Sequence, residues 1–363
     1  MTAADPLTIA VLGLGSMGRR ALAALQRCPS VQLVGVADRD GDALDAVDTG
    51  DLPTFTDSRA LLAQTQPQAV YAALPPVPTA DLIATCAQRG IHVIKEVPLA
   101  RNLAEGAGLV RQMEQAGLKL MVATQRRFML TYRRAFELRR SVGRLFLARA
   151  EYLFNWGPVT GWRADHVLAG GGALLELGFQ FLDLLIWIHS LPEDVFGASA
   201  VNARRDLVDA NGRPAPPNTT DDTAVAVLRM PGGGMASLIA SRASGPVFEQ
   251  FALHGQDGSL TADSQRCVLR DPDGRVLDQI EDIDDPTTSA SRMIDAFAAA
   301  ITSGSRTYPC SGRESLLTLA VLDALYLSDK TAAAERPDTM LHASGFTIPD
   351  CLIHRPLEGH HAD

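Results

Sequence analysis

No pair of cysteines in this sequence is spaced to grip a metal. The five stand at positions 28, 86, 267, 310 and 351, an odd number with neither a CxxC pair nor a zinc-like interval, a usage that fits a reducing cytoplasm and predicts no metal site. A positive field is missing as well. With 33 Lys and Arg against 42 Asp and Glu, the net charge of −9 argues against a nucleic-acid partner. The Arg-rich run from Arg126 to Arg140 interleaves apolar residues at helical spacing. It reads as a solvated helix face or a site for a small anion. No stretch approaches the roughly 18 uninterrupted apolar residues that span a bilayer, and "MTAADPLTIAVLG" has no basic segment ahead of its apolar run. The expectation is a soluble cytoplasmic protein with no membrane partner. A hydrolase nucleophile is lacking too, since Ser16 lies in a glycine turn where a phosphate contact is the better reading.

What the sequence does contain is enough apolar material, 46% of 363 residues, for more than one core. Two domains and a tail are expected, at 1–124, 125–335 and 336–363. From Leu7 to Thr124, β-branched runs at 7–13, 31–37, 69–74, 91–95 and 119–123 alternate with amphipathic segments at 16–28, 58–65, 78–89 and 102–116. That alternation predicts an α/β domain with a doubly wound parallel sheet and helices on both faces. Gly90 and Gly117 stand where helix C-caps would fall.

The apolar strand "LTIAVL" runs directly into "GLGSMG", and the next helix opens there. Gly13, Gly15 and Gly18, with Ser16 and Met17 between them, make a turn whose backbone N–H groups can approach a pyrophosphate. Asp38 closes the second strand, 20 residues past Gly18, where an acid accepts hydrogen bonds from ribose hydroxyls and repels a 2′-phosphate. NAD is therefore the expected cofactor. Arg39 beside it leaves NADP open, and a plain solvated turn is the bland alternative. The third strand breaks at Pro75 and Pro76, which places Leu74 and Pro75 at the carboxyl edge of the sheet, where ligands of open α/β sheets lie. The strand "IHVIKEVPLA" should end at the same edge, with Lys95 and Glu96 at its tip.

Beyond Thr124 the pattern changes to a helical segment at 129–141, a strand in "RLFLARAEYLFNW", a glycine-opened helix at 171–188 and a series of strands. These fall at 195–203, 222–230, 234–243, 248–254, 258–262 and 266–270, followed by helices at 288–302 and 312–334. Strands in succession without helices between them predict an α+β domain with an open, mostly antiparallel sheet. His189 ends the apolar helix, where a cation suits the helix C-terminus. His360 and His361 close the tail.

"VLGLGSMG", "HVIKEVPLA", "QRRFMLTYRRAFELRRSVGRL", "WRADHVLAGGGALLELGFQFLD", "LHGQDGSL" and "YPCSGRESLLTLAVLDALYLS" occur in an order that resembles the Gfo/Idh/MocA oxidoreductases across nearly the whole chain. The resemblance implies a Rossmann domain followed by an open-sheet domain. It also implies NAD(P)-dependent oxidation or reduction of a sugar, polyol or related small hydroxy or keto compound, and a homodimer or homotetramer joined through the C-terminal sheet. The family's usual proton-transfer residues are a Lys, an Asp and a His; this sequence has Val97, Glu176 and Gln180 there. Glu176 and Gln180, four apart on a helix, should still share a face. Valine cannot move a proton, so the relay is non-standard. Lys95, two residues before Val97 and on the same side of a regular strand, is a candidate replacement; a pairing with a nearby acid at the sheet edge is the competing reading.

By the same resemblance Glu96 and Val97 belong to the loop beneath the nicotinamide, and Val97–Pro98 is a candidate cis bond. Arg127, Trp162, Arg163 and Asp183 match the substrate pocket, and His166 is a further candidate proton shuttle. The retained cofactor features beside altered catalytic positions also suit an NAD(P)-binding regulator or pseudoenzyme. A substrate that needs no enzyme acid is a third reading.

Overall fold

A computed structural model describes residues 5–202, 217–281 and 285–352. Two compact units are present: Met1–Leu99 with Gly108–Phe128 and Asp284–Gly312, and Ala100–Ala107 with Met129–Ile283 and Arg313–Asp363. The first contains strands β1 (Leu7–Leu12), β2 (Val31–Ala37), β3 (Thr54–Phe55), β4 (Ala69–Ala72), β5 (His92–Lys95) and β6 (Leu120–Val122). All pair in parallel, in the order β3-β2-β1-β4-β5-β6. This is the dinucleotide-binding order, with its reversal of winding between β1 and β4.

Five of these strands were legible because parallel strands buried on both faces read as unbroken apolar runs. The sixth, Thr54–Phe55, is two residues long and shows no period; the helix Gly41–Asp45 went unread for the same reason. Gly90 caps the helix Pro76–Arg89 with φ +75°, as its position predicted. The stretch 284–312, which the sequence reading gives to the second domain, packs with the first. Ala290, Met293, Ile294 and Phe297 of the helix Pro286–Thr302 share a core with Ala21, Leu22 and Leu25. Sequence distance conceals that contact.

The second unit is built on β7 (Leu145–Leu153), β8 (Asp194–Ala200), β9 (Thr223–Arg229), β10 (Met235–Ser241), β11 (Phe248–Gly255), β12 (Gly258–Ala262), β13 (Arg266–Arg270) and β14 (Val276–Glu281). Their order is β14-β13-β12-β11-β7-β10-β9-β8, antiparallel except for the β7–β10 pair. β14 escaped the sequence reading because it is an edge strand with no buried residue to mark a face. In β9, Ala224, Ala226 and Leu228 point into the core while Val225 and Val227 are exposed.

The helix Phe179–Ile188 packs on this sheet, with Phe181 against Tyr152 and Tyr132. Together with the turns before it, His166–Ile188 is long and apolar enough by length and composition to cross a bilayer, and most of it is buried inside the protein. Its few polar residues interrupt a strict apolar count. His189, expected as a cation, is buried at the helix end, and desolvation lowers its pKa, which favours the neutral ring. The region read as a tail opens with two short helices, Pro337–Ala343 and Ile348–Cys351, anchored by buried Leu341, Phe346 and Cys351. His360 and His361 lie outside the described residues.

His92, at the start of β5, shows how this core depends on protonation. Its Nδ1 accepts the Lys119 N–H at 2.9 Å, and burial pushes its pKa down to about 4. The folded state therefore needs the neutral ring. Its contribution is complete above pH 6.5 and is lost as pH falls toward 4. In His92→Asn the amide oxygen can take the same N–H without titrating. Urea-unfolding midpoints from pH 7 to 4 should fall more steeply for the native protein than for the variant; parallel curves would remove His92 as the cause.

Candidate active site

In the first unit, β1 delivers the chain into the glycine turn at the point where the winding reverses. Gly13 adopts φ +89°, and a Cβ there would lie 2.5 Å from the Ala73 carbonyl oxygen; one on Gly18 would lie 1.8 Å from that of Gly13. Both positions therefore exclude side chains. Above Gly15 there is nothing within 4 Å, so its backbone faces open space. The helix Ser16–Leu25 begins here with no side-chain cap, leaving its positive end available to an anion. Asp38 is anchored beside it, accepting the N–H of Leu14 at 2.6 Å through Oδ2 and that of Asp40 at 2.9 Å through Oδ1. Arg39 is exposed. Open backbone, uncapped helix and fixed carboxylate together fit a dinucleotide.

The tip of β5 is dry. Lys95 is 1% exposed and Glu96 6%, in contrast to a charged pair left in water. The Lys95 ammonium donates to the carbonyl oxygens of Glu96 at 2.7 Å and Leu74 at 3.2 Å, so it links the turns that follow β5 and β4. Glu96 accepts the Tyr71 hydroxyl at 2.5 Å. Burial raises the Glu96 pKa, while the Tyr71 hydrogen bond, the Lys95 charge and the Val97 N–H oppose the shift. The Val97–Pro98 bond is cis. Arg127 is buried in the short helical turn Gln125–Phe128 of the same unit.

In the second unit, the glycine-opened helix starts with a single π-helical turn, Leu174–Gly178, before it becomes α-helical. Such turns are uncommon and frequent at functional sites. Asp221 fixes this start by accepting the N–H groups of Gly172 and Leu174, each at 2.7 Å, and the Tyr326 hydroxyl at 2.8 Å. A Cβ on Gly172 would lie 1.8 Å from the Asp221 carbonyl oxygen, which is why a glycine stands there. Across residues 171–186 every position is buried except Glu176 and Gln180. The two therefore occupy the one accessible face, as their spacing predicts.

Glu176 sits between two guanidinium groups. Arg163 Nε donates to Oε1 at 2.9 Å, and Nη1 of the fully buried Arg242 donates to Oε2 at 3.3 Å. Arg242 is held in turn by Thr220 Oγ1 at 2.5 Å. Burial raises the Glu176 pKa, and the two arginines pull in the opposite direction. The Arg163 guanidinium also covers the Trp162 ring at 4.2 Å from its centroid. Arg163, Trp162 and Glu176 are thus brought together. Asp183 is 1% exposed inside the helix, and His166 is exposed at the start of the helix His166–Ala169.

Sequence reasoning missed Tyr71, Trp156, Thr220, Asp221 and Arg242. Arg242 carried a faint signal, a cation closing the apolar run "MASLIASR". The Trp156 ring centroid lies 5.1 Å from the guanidinium of Arg163, and Tyr71, Thr220 and Asp221 acquire their roles through contacts more than 20 residues away in the chain.

Residues 7–124 match the oxidoreductase family with an NAD-binding Rossmann fold, and residues 133–261 match the GFO/IDH/MocA C-terminal domain. The chain belongs to the Gfo/Idh/MocA family. Its parallel Rossmann sheet, mostly antiparallel second sheet and NAD-binding domain agree with the sequence reading. A D-xylose 1-dehydrogenase (NADP+) of Haloferax volcanii is 29% identical over 342 residues, covering 90% of this chain and 99% of the relative. A D-apiose dehydrogenase of Paraburkholderia graminis is 25% identical, with 93% of each chain covered. Levoglucosan dehydrogenase, solved with NADH and levoglucosan, has the same fold at a TM-score of 0.79 and 20% identity, over 92% of this chain and 99% of that one.

Within this family member the ammonium of Lys95 braces two turns. Lys95→Met would leave the Leu74 and Glu96 carbonyls without this donor and Glu96 without its nearby positive charge. A loss of about 2–3 kcal/mol is expected in urea unfolding. Unchanged stability would show that the ammonium holds nothing in place.

Proposed function

We propose that this chain is an NAD(P)-dependent dehydrogenase of a sugar, polyol or related small hydroxy or keto compound, with Glu176 as the proton-accepting group. The observation that carries the reading is the placement of Glu176: it is the one ionisable side chain on the accessible face of residues 171–186, and burial raises its affinity for a proton. The family membership and the D-xylose dehydrogenase relative support the reaction class.

Bound nicotinamide cofactor supplies the hydride acceptor when a CH–OH group is oxidised. Gly15, Ser16, Met17 and Gly18 bind its phosphates through backbone N–H groups and the helix N-terminus, while Gly13, whose own N–H is donated to the Ala37 carbonyl, keeps the turn tight enough for that approach. Asp38 accepts ribose hydroxyls and disfavours a 2′-phosphate, which puts NAD ahead of NADP, while exposed Arg39 can accommodate the latter. Leu74, Pro75, Glu96 and Val97 shape the nicotinamide end, and Lys95 positions their turns rather than moving the proton. Glu176 takes the hydroxyl proton and Gln180 hydrogen-bonds the substrate. Arg127, Trp162 and Arg163 bind substrate, buried Asp183 acts as a structural carboxylate, and exposed His166 can pass a proton to solvent.

The outer face of the second sheet supports a homo-oligomer. Phe196 pairs with Val227, and these two with Val225 and Met235 expose 47–55% of their surface on β8, β9 and β10. An apolar patch of this kind marks an interaction surface, and a second copy supplies a matching one. The double variant Phe196→Glu with Val227→Glu should shift the light-scattering mass from a multiple of 38.8 kDa to that of the monomer. A native protein that already runs as a monomer would overturn the assignment.

One observation favours the regulatory alternative: the ammonium of Lys95, two residues before Val97, is engaged by backbone carbonyls. Nicotinamide absorbance across pentoses, hexoses, polyols and their keto forms, with NAD and NADP, separates the two. Turnover is expected, with kcat/KM rising through an acid limb set by Glu176 above the usual carboxylate range. Glu176→Gln should lower the rate by about 10²–10⁴-fold and abolish that limb. Tight cofactor binding with no turnover across the panel would favour the regulator.

A further inference from the structure

The guanidinium of Arg163 is anchored at one nitrogen and presents its other two as a binding fork. Its Nε is committed to Glu176, and its planar face lies 4.2 Å from the Trp162 centroid and 5.1 Å from that of Trp156. Among the described residues, no hydrogen bond engages its two terminal nitrogens. The side chain keeps 37% of its exposure, and Trp156 keeps 38%. Glu176 cannot neutralise the cluster, because its second oxygen serves the fully buried Arg242. Among the described residues, two guanidinium groups therefore share one paired carboxylate, and Arg163 is the one of the two that is open to a second anion.

We propose that this fork binds a carboxylate on the substrate, so that the preferred substrates are sugar acids or related hydroxy acids rather than neutral sugars. The proposal rests on the dehydrogenase reading and narrows its substrate class. Two terminal N–H groups of an arginine match the two oxygens of a carboxylate in parallel, a geometry that a single hydroxyl fills only by half. The supporting contacts reduce the cost of using this side chain. Glu176 and the tryptophan faces fix a long, flexible arginine before ligand arrives, so less freedom is lost on binding. The indole faces also offer apolar packing to the C–H face of a sugar ring. A neutral polyol would accept hydrogen bonds here but offer the exposed guanidinium no opposite charge.

The test uses the full-length protein with D-glucuronate and D-gluconate set against D-glucose and D-xylose. In the native enzyme, kcat/KM should favour the acids by about tenfold or more, and Arg163→Gln, whatever it does to the rate on all substrates through Glu176, should bring the acid-to-neutral ratio to about one. Arg163→Lys, which keeps the charge and loses the fork, should fall between them. Thermal unfolding of each variant separates a misfolded protein from one that has lost only the preference. Calorimetric binding of D-glucuronate and D-glucose to the NADH- or NADPH-loaded protein provides a readout that needs no turnover. A preference for acid in binding that Arg163→Gln removes would sustain the proposal even if no sugar were oxidised, a result that would instead sink the dehydrogenase reading. Neutral sugars used as well as acids would overturn the carboxylate assignment and leave that reading intact. Absence of any preference for acid in both assays, or a preference that survives in Arg163→Gln, overturns the proposal.

Discussion

An ionised side chain withdrawn from water must find opposite charge or hydrogen-bond partners, because the alternative costs several kcal/mol for each ion. Both units are organised around that requirement. In the first, Lys95 and Glu96 stand at the buried end of β5, and their partners are backbone carbonyls and the Tyr71 hydroxyl. In the second, Glu176 lies on an otherwise buried helical segment and is met by Arg163 and Arg242. These partners do more than offset a penalty. By holding the buried ions they also hold the turns and helix faces that carry them, which places the accessible groups in defined positions.

The two units reach this result by different means. In the first, backbone crowding does most of the work: Gly13, Gly18 and the Ala73 carbonyl pack so closely that the turn has little freedom, while the backbone at Gly15 remains open. The turn falls where the order β3-β2-β1-β4-β5-β6 reverses, so topology and local chemistry select the same place for the dinucleotide. In the second, side chains set the geometry. Asp221 gathers the N–H groups at the helix start, and the helix opens with a π turn that carries Glu176 toward two arginines. There a single carboxylate is enclosed by two guanidinium groups.

Much of the first unit was legible because its signals are local. Parallel strands are apolar runs, Gly13, Gly15 and Gly18 follow the first of them, and Asp38 closes the second. The shared face of Glu176 and Gln180 followed from spacing alone. The edge elements were less visible: Thr54–Phe55 is too short to show a period, and β14 has no buried face. The helix Pro286–Thr302 read correctly as a helix, but its attachment to the first unit depends on partners more than 260 residues away, such as Ala24, whose carbonyl accepts Ser291 Oγ.

The sequence by itself determined the type of each main element and the glycine turn with its acid. These depend on short-range periodicity and on residue chemistry, which a linear chain displays. Tertiary structure alone decided what the charged residues do. Lys95 could have faced a ligand or an internal partner, and only the approach of the Leu74 turn selected the latter. Arg242, near the end of the strand-like run at 234–243, acquires its role only from Thr220 and Glu176, which close around it. The role of a charge depends on its neighbours in space, and those neighbours are set by folding.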